Sequence, residues 1–169
     1  FDYVCVTDDI NSKNEINDSV ICCTNQPSNS TETYHYSGKF IVKQTNFSSN
    51  LCNEAAAIHS EPTTNGSNVA SSISYSSIAN STGREGSCIY LSLSCLYEID
   101  SCNIISNSCQ VSNKGILFVY GSLNLKNSCI MNNSAVYVIY NSGGYSITLT
   151  NCTVDSTCTC SGNTIIVST

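Results

Sequence analysis

Apolar residues recur in this chain from Phe40 to the C-terminal residue, once in every 24 to 31 positions. Each copy contains a short strand in which apolar and polar residues alternate, then a turn rich in Asn, Ser and Cys, and then a second apolar run. Two apolar positions, five residues apart, mark each copy: Val42 and Phe47, Ile73 and Ile78, Ile99 and Ile104, Leu125 and Ile130, Leu149 and Val154. A repeat of this length is typical of a solenoid, in which each copy stacks on its neighbours.

The second apolar run of each copy also predicts a strand. These runs span 55–58, 89–91, 116–119, 136–139 and 165–167. The later runs are dominated by β-branched and aromatic residues, which favour strands over helices. We therefore predict an all-β chain that folds as a right-handed parallel β-helix, with equivalent positions stacked about 4.8 Å apart. A β-sandwich, with turns every 8–12 residues or about that, is the alternative. The recurrence of the same two-run unit in phase favours the β-helix.

The first 39 residues do not follow the repeat. We expect residues 1–39 to form an irregular coil that caps the first rung, because terminal repeats are commonly atypical. Residues 40–169 contain the repeats, and the whole chain is expected to be one domain. Insertions at 60–70 and 81–86 are expected to be surface loops, and the second contains Arg84, the only arginine.

The composition narrows the class of partner. Charged residues make up 11% of the chain, whereas 66 of its 169 residues are Asn, Ser or Thr. The net charge is −6 and the sequence has no basic patch, which argues against binding to nucleic acid or to an anionic membrane surface. No apolar run reaches the length of about 18 residues that a membrane-spanning helix requires.

Cysteines and sequons together predict a secreted or cell-surface protein. The chain contains 12 cysteines: Cys5, Cys22, Cys23, Cys52, Cys88, Cys95, Cys102, Cys109, Cys129, Cys152, Cys158 and Cys160. Asn-x-Ser/Thr sequons begin at Asn17, Asn29, Asn46, Asn65, Asn80, Asn132 and Asn151. This combination is typical of an extracellular, disulfide-bonded and N-glycosylated chain. Because the sequence begins with Phe1, we expect either a removed signal peptide or a piece of a longer chain.

The cysteine spacing favours disulfides over a metal site. Zinc sites need paired Cys knuckles, and spacings of seven residues from Cys88 to Cys109 do not supply them. Bridged cysteines have Cα atoms about 4.4–6.8 Å apart, which matches the distance between stacked rungs. We expect a bridge among Cys102, Cys129 and Cys152, which fall at nearly the same phase, and another from Cys88 or Cys95 to a neighbour. A ladder of buried thiols is the alternative.

The repeat resembles a known group of surface proteins. The segments that carry the resemblance are 99–104 (IDSCNI), 125–130 (LKNSCI) and 149–154 (LTNCTV). They resemble the right-handed β-helix regions of surface proteins of anaerobic protists such as trichomonads. Those regions are in turn similar to the chlamydial polymorphic membrane proteins and the pectin-lyase-like superfamily. The resemblance covers 40–169 and implies a cell-surface setting with an adhesin-like or structural role. The repeated Gly-Gly-Ala-Ile motif of the chlamydial proteins is absent, and Gly143-Gly144 is its nearest trace.

A β-helix of this kind can host polysaccharide lyases or hydrolases, which need clustered carboxylates or Ca²⁺. Asp8 and Asp9 are adjacent and would point to opposite faces of a strand. Glu98 and Asp100 share a face, and Asp155 stands alone. The positions equivalent to Asp100 in the other copies are Lys43, Ser74, Lys126 and Thr150. No two carboxylates are therefore expected to stack.

The two histidines, His35 and His59, do not complete a Ser-His-Asp set at any recognised spacing, and Gly-x-Ser-x-Gly is absent. We predict that the chain is not an enzyme and binds no cofactor or metal.

Two surfaces remain as candidates for interaction. Six tyrosines cluster in the second half: Tyr90, Tyr97, Tyr120, Tyr137, Tyr140 and Tyr145. If exposed, they could stack on sugars or on a protein; packing within the core is the alternative. The last apolar run, Ile165, Ile166 and Val167, carries no charge and is predicted to be an assembly edge. The leading hypothesis is a structural subunit that stacks head to tail, and the second is an adhesin that binds a host protein or glycan.

Overall fold

The computed structural model describes residues 13–16, 19–26, 30–35, 41–52, 55–60, 70–84, 86–92, 95–154, 160–161 and 165–168. These residues form 22 strands and no helix. The strands are numbered β1 to β22 along the chain and belong to four sheets. The prediction of an all-β chain is confirmed.

Each sheet is given in its spatial order. Sheet A contains β1 (Lys13–Ile16), β2 (Ser19–Gln26), β3 (Ser30–His35), β7 (Ala55–Ser60), β11 (Ser87–Leu91), β15 (Gly115–Val119), β18 (Tyr137–Asn141) and β21 (Cys160–Ser161). Sheet B contains β4 (Ile41–Lys43), β8 (Ala70–Ser74), β12 (Leu96–Asp100), β16 (Ser122–Lys126), β19 (Ile147–Thr150) and β22 (Ile165–Ser168). Sheet C contains β5 (Asn46–Ser48), β9 (Ser77–Ala79), β13 (Asn103–Ile105), β17 (Cys129–Met131) and β20 (Thr153–Val154). Sheet D contains β6 (Leu51–Cys52), β10 (Thr82–Gly83) and β14 (Ser108–Cys109).

The chain runs through sheets B, C, D and A in turn and then begins the next rung of sheet B. From β4 onward every described strand pair is parallel, and successive rungs pair in each sheet. Only the first three strands differ: β1 and β2 are antiparallel, as are β2 and β3, and β3 then joins β7 in parallel. The protein is therefore a parallel β-solenoid whose sheet A continues into an antiparallel hairpin.

The two predicted apolar rows are confirmed as register partners. In sheet B, Val42 pairs with Ile73, and the row continues through Ile99, Leu125 and Leu149. A second row in sheet C consists of Phe47, Ile78, Ile104, Ile130 and Val154. All members except Val154 are buried and belong to one continuous core. Stacking of β-branched and Leu side chains at this spacing buries apolar surface between every pair of rungs, which stabilises the solenoid.

A left-handed residue marks each turn on either side of sheet C. Nine residues have φ between 49° and 59°: Gln44, Ser49, Tyr75, Asn80, Ser101, Ser106, Asn127, Asn132 and Asn151. The residue that follows each of them turns its side chain back toward the core or between rungs. Asn tolerates this conformation better than other L-residues do, which explains its frequency at these turns.

Two segments lie elsewhere than predicted. The run 165–167 was predicted to complete the rung that begins at β19, but β22 instead pairs with β19 in sheet B and begins another rung. The segment 81–86 is not wholly a loop, because Thr82 and Gly83 form β10 while Arg84 is exposed. A Cβ at Gly83 would lie 2.3 Å from the carbonyl oxygen of Gly86, so this tight passage into sheet A requires glycine.

Other predictions fall largely or wholly outside the described residues. The insertion 60–70 is described only at its two ends, where Ser60 closes β7 and Ala70 opens β8. Of the predicted cap, residues 1–12 lie outside the described part, and the strands β1 to β3 lie in it. Asp8, Asp9 and Asp155 are also outside it.

Candidate functional site

A hydroxyl–thiol ladder runs between sheets B and C. It consists of the residues that follow the first left-handed turn of each rung: Thr45, Ser76, Cys102, Ser128 and Cys152. The Ser76 hydroxyl donates to the carbonyl of Ser74 at 2.8 Å and accepts from the backbone N–H of Thr45 at 3.1 Å. Ser128 repeats the second bond one rung away from Cys102, whose backbone N–H lies 3.0 Å from the Ser128 hydroxyl. The ladder thus satisfies backbone groups at a buried turn.

Cysteine takes the place of serine in this ladder. The Cys102 thiol donates to the carbonyl of Asp100 at 3.3 Å, and the Cys152 thiol to that of Thr150 at 3.4 Å. In each case the acceptor is two residues earlier in the chain, as it is for Ser76 and Ser74. These thiols therefore have a structural role that a hydroxyl group also fills.

The predicted disulfide among Cys102, Cys129 and Cys152 is not formed. All three occur as thiols, as do Cys88, Cys95 and Cys109. Cys129 pairs in register with Asn103, one position beyond Cys102, so the two cysteines do not share a phase. Cys102 and Cys152 do share one, but Ser128 lies between them. The bridge expected from Cys88 or Cys95 is likewise absent from this part of the chain.

The seven-residue spacing has a different explanation. Cys88 lies in sheet A, Cys95 precedes β12, Cys102 precedes β13 and Cys109 closes β14. The four are therefore distributed around one circuit of the solenoid, and all are at most 5% exposed. This outcome matches the alternative of buried thiols for these four. Cys5 and Cys158 lie outside the described residues, and of Cys22, Cys23, Cys52 and Cys160 only the backbone is described.

Burial makes the chain sensitive to alkaline pH. Desolvation by burial raises the pKa of the Cys102 and Cys109 thiols above the ordinary value of 9.0. In the unfolded chain these thiols ionise at the ordinary value, whereas in the folded chain they stay protonated. The stability that this difference contributes is fully present below pH 9 and is lost as the pH rises through the folded pKa values. We expect the free energy of unfolding to fall in that range.

A matched variant isolates this effect. The double variant Cys102→Ser, Cys109→Ser retains a donor at both positions but has no thiol that ionises there. Its free energy of unfolding, measured by urea denaturation between pH 7 and pH 10 or so, should fall less steeply than that of the parent. Tyrosine and lysine titrate in both proteins and cancel in the comparison. Parallel curves would show that these two thiols do not contribute.

An asparagine ladder follows the second left-handed turn. It consists of Asn50, Ser81, Asn107 and Asn133, one in each successive rung. The side-chain oxygen of Asn107 accepts from the backbone N–H of Ser81 at 3.0 Å, and its Nδ2 donates to the carbonyl of Ile78 at 2.8 Å. Asn133 repeats both bonds one rung later, with the N–H of Asn107 at 2.9 Å and the carbonyl of Ile104 at 2.8 Å. Both side chains are at least nine-tenths buried.

An aromatic row covers the outer face of sheet A. It consists of His59, Tyr90, Phe118 and Tyr140, which are register partners in four successive strands. The residues on either side of them, such as Ile89 and Leu91, belong to the core, so strand alternation directs the row outward. Tyr90 and Phe118 stack at 4.5 Å with an interplanar angle of 1°, and Phe118 and Tyr140 lie 5.6 Å apart at 15°. Lys114 places its Nζ atom 4.3 Å from the Phe118 ring centre.

The tyrosine cluster is therefore divided among three environments. Tyr97 is buried in the core, and its hydroxyl donates to the carbonyl of Ser92. Tyr90 and Tyr140 belong to the aromatic row, where neighbouring rings cover much of their faces. Tyr120 is 42% exposed and meets Tyr145 edge to face at 5.7 Å. Of the predicted stripe, the pair Tyr120 and Tyr145 at the corner between sheets A and B is the part best placed to meet a ligand.

The carboxylates of sheet B form an ordinary polar surface. Asp100 accepts from the Ser101 hydroxyl at 3.0 Å and from Nδ2 of Asn127 at 2.9 Å. Glu98 lies 4.0 Å from Nζ of Lys126. Asp100 pairs in register with Ser74 and Lys126, as the repeat predicts, so carboxylates do not stack in this row. Within the described residues no group of three or more His, Cys, Asp and Glu side chains could hold a metal ion.

The ends of the sheets are strand edges. In the described part of the chain, sheet B ends at β4 and at β22, and sheet C ends at β5 and at β20. The predicted assembly residues Ile165, Ile166 and Val167 lie in β22, and Val167 pairs in register with Leu149. Sheet A ends at β21 on this side and at β1 on the other.

The sequons that the structure describes head exposed side chains. Asn46, Asn80, Asn132 and Asn151 are all exposed. Asn17, Asn29 and Asn65 lie outside the described residues.

Comparisons of the chain with protein-family models, with curated proteins and with solved structures found no match in any of the three. The described residues contain no helix long and apolar enough to cross a membrane.

Proposed function

We propose that this chain is an extracellular structural protein that assembles head to tail through the open strand edges of its solenoid. The observation that supports this most is that sheets B and C both end in strand edges, at β22 and β20 on one side and at β4 and β5 on the other. An unpaired edge presents a row of backbone donors and acceptors to another chain. A contact between two different edges does not close on itself and builds an open fibre.

The two edges of sheet B are compatible in sequence. Val167 has the register position of Leu149 and Leu125, and Val42 begins the same row at the opposite end. If β22 of one copy pairs with β4 of the next, this row continues across the junction. Ile166 then meets Ile41, so apolar residues match at two adjacent positions.

The N-terminal hairpin limits how the copies can stack. Strands β3, β2 and β1 extend sheet A by three strands beyond β7, whereas sheets B and C begin level with β7. When β4 of the next copy follows β22, its β3 comes to lie next to β21, in the place of one missing sheet A strand. That strand fits, because β3 is parallel to the rest of the sheet. Strands β2 and β1 would then overlap β21 and β18. Stacking therefore requires the hairpin β1–β2 to leave sheet A.

This requirement defines the experiment. A variant that lacks residues 1–26 retains β3 but not the hairpin, and we expect it to form fibres in electron micrographs at a lower protein concentration than the full chain. Adding Val167→Lys to this variant should abolish the fibres, because a charge at the junction remains unpaired. Thr148→Lys, one strand inward on half-exposed β19, is the matched control and should leave the fibres intact.

Two results would contradict the proposal. One is a shortened variant that stays monomeric by sedimentation at high concentration. The other is a set of fibres that forms equally well with Val167→Lys.

The extracellular setting rests on the sequence. Cysteine and sequon usage support it. The resemblance to β-helix regions of trichomonad-type and polymorphic-membrane-type surface proteins, which are right-handed, supports it as well. The thiols of the described rungs need no oxidant to do their structural work, so this setting does not depend on disulfides among them.

A second candidate function is that of an adhesin. Exposed apolar groups on the lateral surface favour it: Tyr75 is 60%, Val136 54% and Tyr120 42% exposed. Aromatic side chains of this kind can stack on sugars. Saturable binding of the monomer to a glycan, lost in Tyr120→Ala, would favour the adhesin over the fibre.

A further inference from the structure

Four sequons share one local geometry that suits modification. In each, the asparagine is exposed and the third residue carries a hydroxyl that is exposed or half-buried. The middle residue lies inward: Phe47, Ser81 and Asn133 are buried and Cys152 is half-buried. The strand and turn conformations of the solenoid thus present the two recognition groups of the sequon on its outside.

Asparagines with structural duties are kept separate from this set. Asn107, Asn133 and Asn141 are buried, and none of them heads a sequon. Asn107 and Asn133 spend their side-chain amides on backbone groups of the neighbouring rung. The chain therefore uses asparagine in two ways, and the sequon pattern coincides with the exposed use.

All four sequons belong to one side of the solenoid. Asn46 is the first residue of β5, and Asn80 and Asn132 directly follow β9 and β17. Asn151 lies in the turn that leads into β20. Each is therefore in sheet C or in a turn that borders it. Along each rung, sheet B and sheet D separate sheet C from the aromatic row of sheet A.

We propose that Asn46, Asn80, Asn132 and Asn151 are N-glycosylated and that their sugars form a row along sheet C. The amide Nδ2 attacks the anomeric carbon of a lipid-diphosphate-linked oligosaccharide. The new C–N bond forms as the bond from that carbon to the diphosphate oxygen breaks, and the lipid diphosphate leaves with the electron pair. Nδ2 loses one proton and keeps one N–H. At Asn151 that N–H can retain its bond to Oδ1 of Asn127, now 2.8 Å long.

This arrangement deepens the proposed function and rests on its extracellular setting. With 11% charged residues, the chain has little electrostatic repulsion to keep parallel fibres apart. Bulky sugars on sheet C would prevent side-by-side association there. The strand edges at the two ends, and the outer face of sheet A, would stay accessible.

The test begins with the native protein. Enzymatic removal of N-glycans in heavy-oxygen water converts each occupied asparagine to a labelled aspartate, which peptide mass spectrometry locates. We expect label at Asn46, Asn80, Asn132 and Asn151 and none at Asn107 or Asn133. Absence of label at all four positions would overturn the proposal.

Variants secreted from a eukaryotic host supply the control. Asn80→Gln and Asn132→Gln should each remove one glycan's worth of mass. Asn103→Gln, which changes an exposed sheet C asparagine outside any sequon, should remove none. Equal masses for Asn80→Gln and the parent chain would count against that site.

The outcome is independent of the fibre experiment. Fibres of an unmodified native chain would refute the glycan row and keep the assembly. Occupied sites on a strictly monomeric chain would do the reverse.

Discussion

Replacing Asn107 with alanine is expected to lower the free energy of unfolding by about 2–6 kcal/mol, because two buried backbone groups lose their partners at about 1–3 kcal/mol each. These groups are the N–H of Ser81, at 3.0 Å from the side-chain oxygen, and the carbonyl of Ile78, at 2.8 Å from Nδ2. The Asn107 side chain is 1% exposed, so water does not replace it without disturbing the rungs on either side. Denaturant unfolding followed by circular dichroism measures the change as a shift of midpoint.

Two further variants test whether the ladder itself is responsible. Asn107→Ser should recover part of the loss, because Ser81 in the same row accepts from Asn50 and donates to the carbonyl of Ala79 with its hydroxyl. Asn124→Ala removes a half-exposed asparagine from the outer face of β16 and should change stability by less than about 0.5 kcal/mol. An Asn107→Ala protein as stable as Asn124→Ala would contradict the role assigned to the ladder.

The apolar rows could be predicted because they obey the repeat. Val42 and Ile73, or Phe47 and Ile78, are 31 residues apart only because an insertion separates their rungs, and the local pattern around them is unchanged. A buried apolar position is dictated by the core alone, so one sequence is enough to identify it. The same reasoning placed Asp100 among Ser74 and Lys126.

The cysteine phase could not be predicted, because a left-handed residue interrupts strand alternation. Ile99 and Ile104 both lie in the core although five residues separate them. The interruption is Ser101, with φ of 55°, after which Cys102 turns inward. In the next rung the left-handed residue is Asn127, and Cys129 falls one position later than the ladder. A one-residue difference in phase decides between a buried thiol and a surface thiol, and it depends on backbone angles that residue type does not determine.

The aromatic row escaped prediction for a related reason. His59, Tyr90, Phe118 and Tyr140 are separated by 31, 28 and 22 residues, because the corners that precede sheet A vary in length. Without the register, Tyr97 of the core cannot be told from Tyr90 of the row. The run 165–167 was assigned to the wrong sheet on the same ground. Of the candidate functional surfaces, the sequence identified the apolar strand near the C-terminus and the exposed sequons, but not the hairpin that restricts stacking.

Replacing Phe118 with alanine is expected to cost about 3–5 kcal/mol, as large-to-small changes of buried aromatic residues usually do. The ring is 7% exposed although it lies on the outer face of sheet A. It stacks on Tyr90 at 4.5 Å and on Tyr140 at 5.6 Å, and such pairs contribute about 0.5–1.5 kcal/mol each beyond the area that they bury. Lys114 adds a cation–π contact at 4.3 Å. Alanine would leave Tyr90 and Tyr140 separated by a gap that neither can fill, since each is held in its own strand.

The matched variants separate stacking from simple burial. Phe118→Tyr keeps the ring and should cost less than about 1 kcal/mol, because tyrosine already occupies this row in the strands on both sides. Tyr120→Ala removes a ring that is 42% exposed, two residues along the chain, and should cost less than half as much as Phe118→Ala in the same denaturation assay. Equal losses for Phe118→Ala and Tyr120→Ala would mean that the row does not stabilise the sheet. The outer face of sheet A would then be better explained as a binding surface, which would favour the adhesin over the structural subunit.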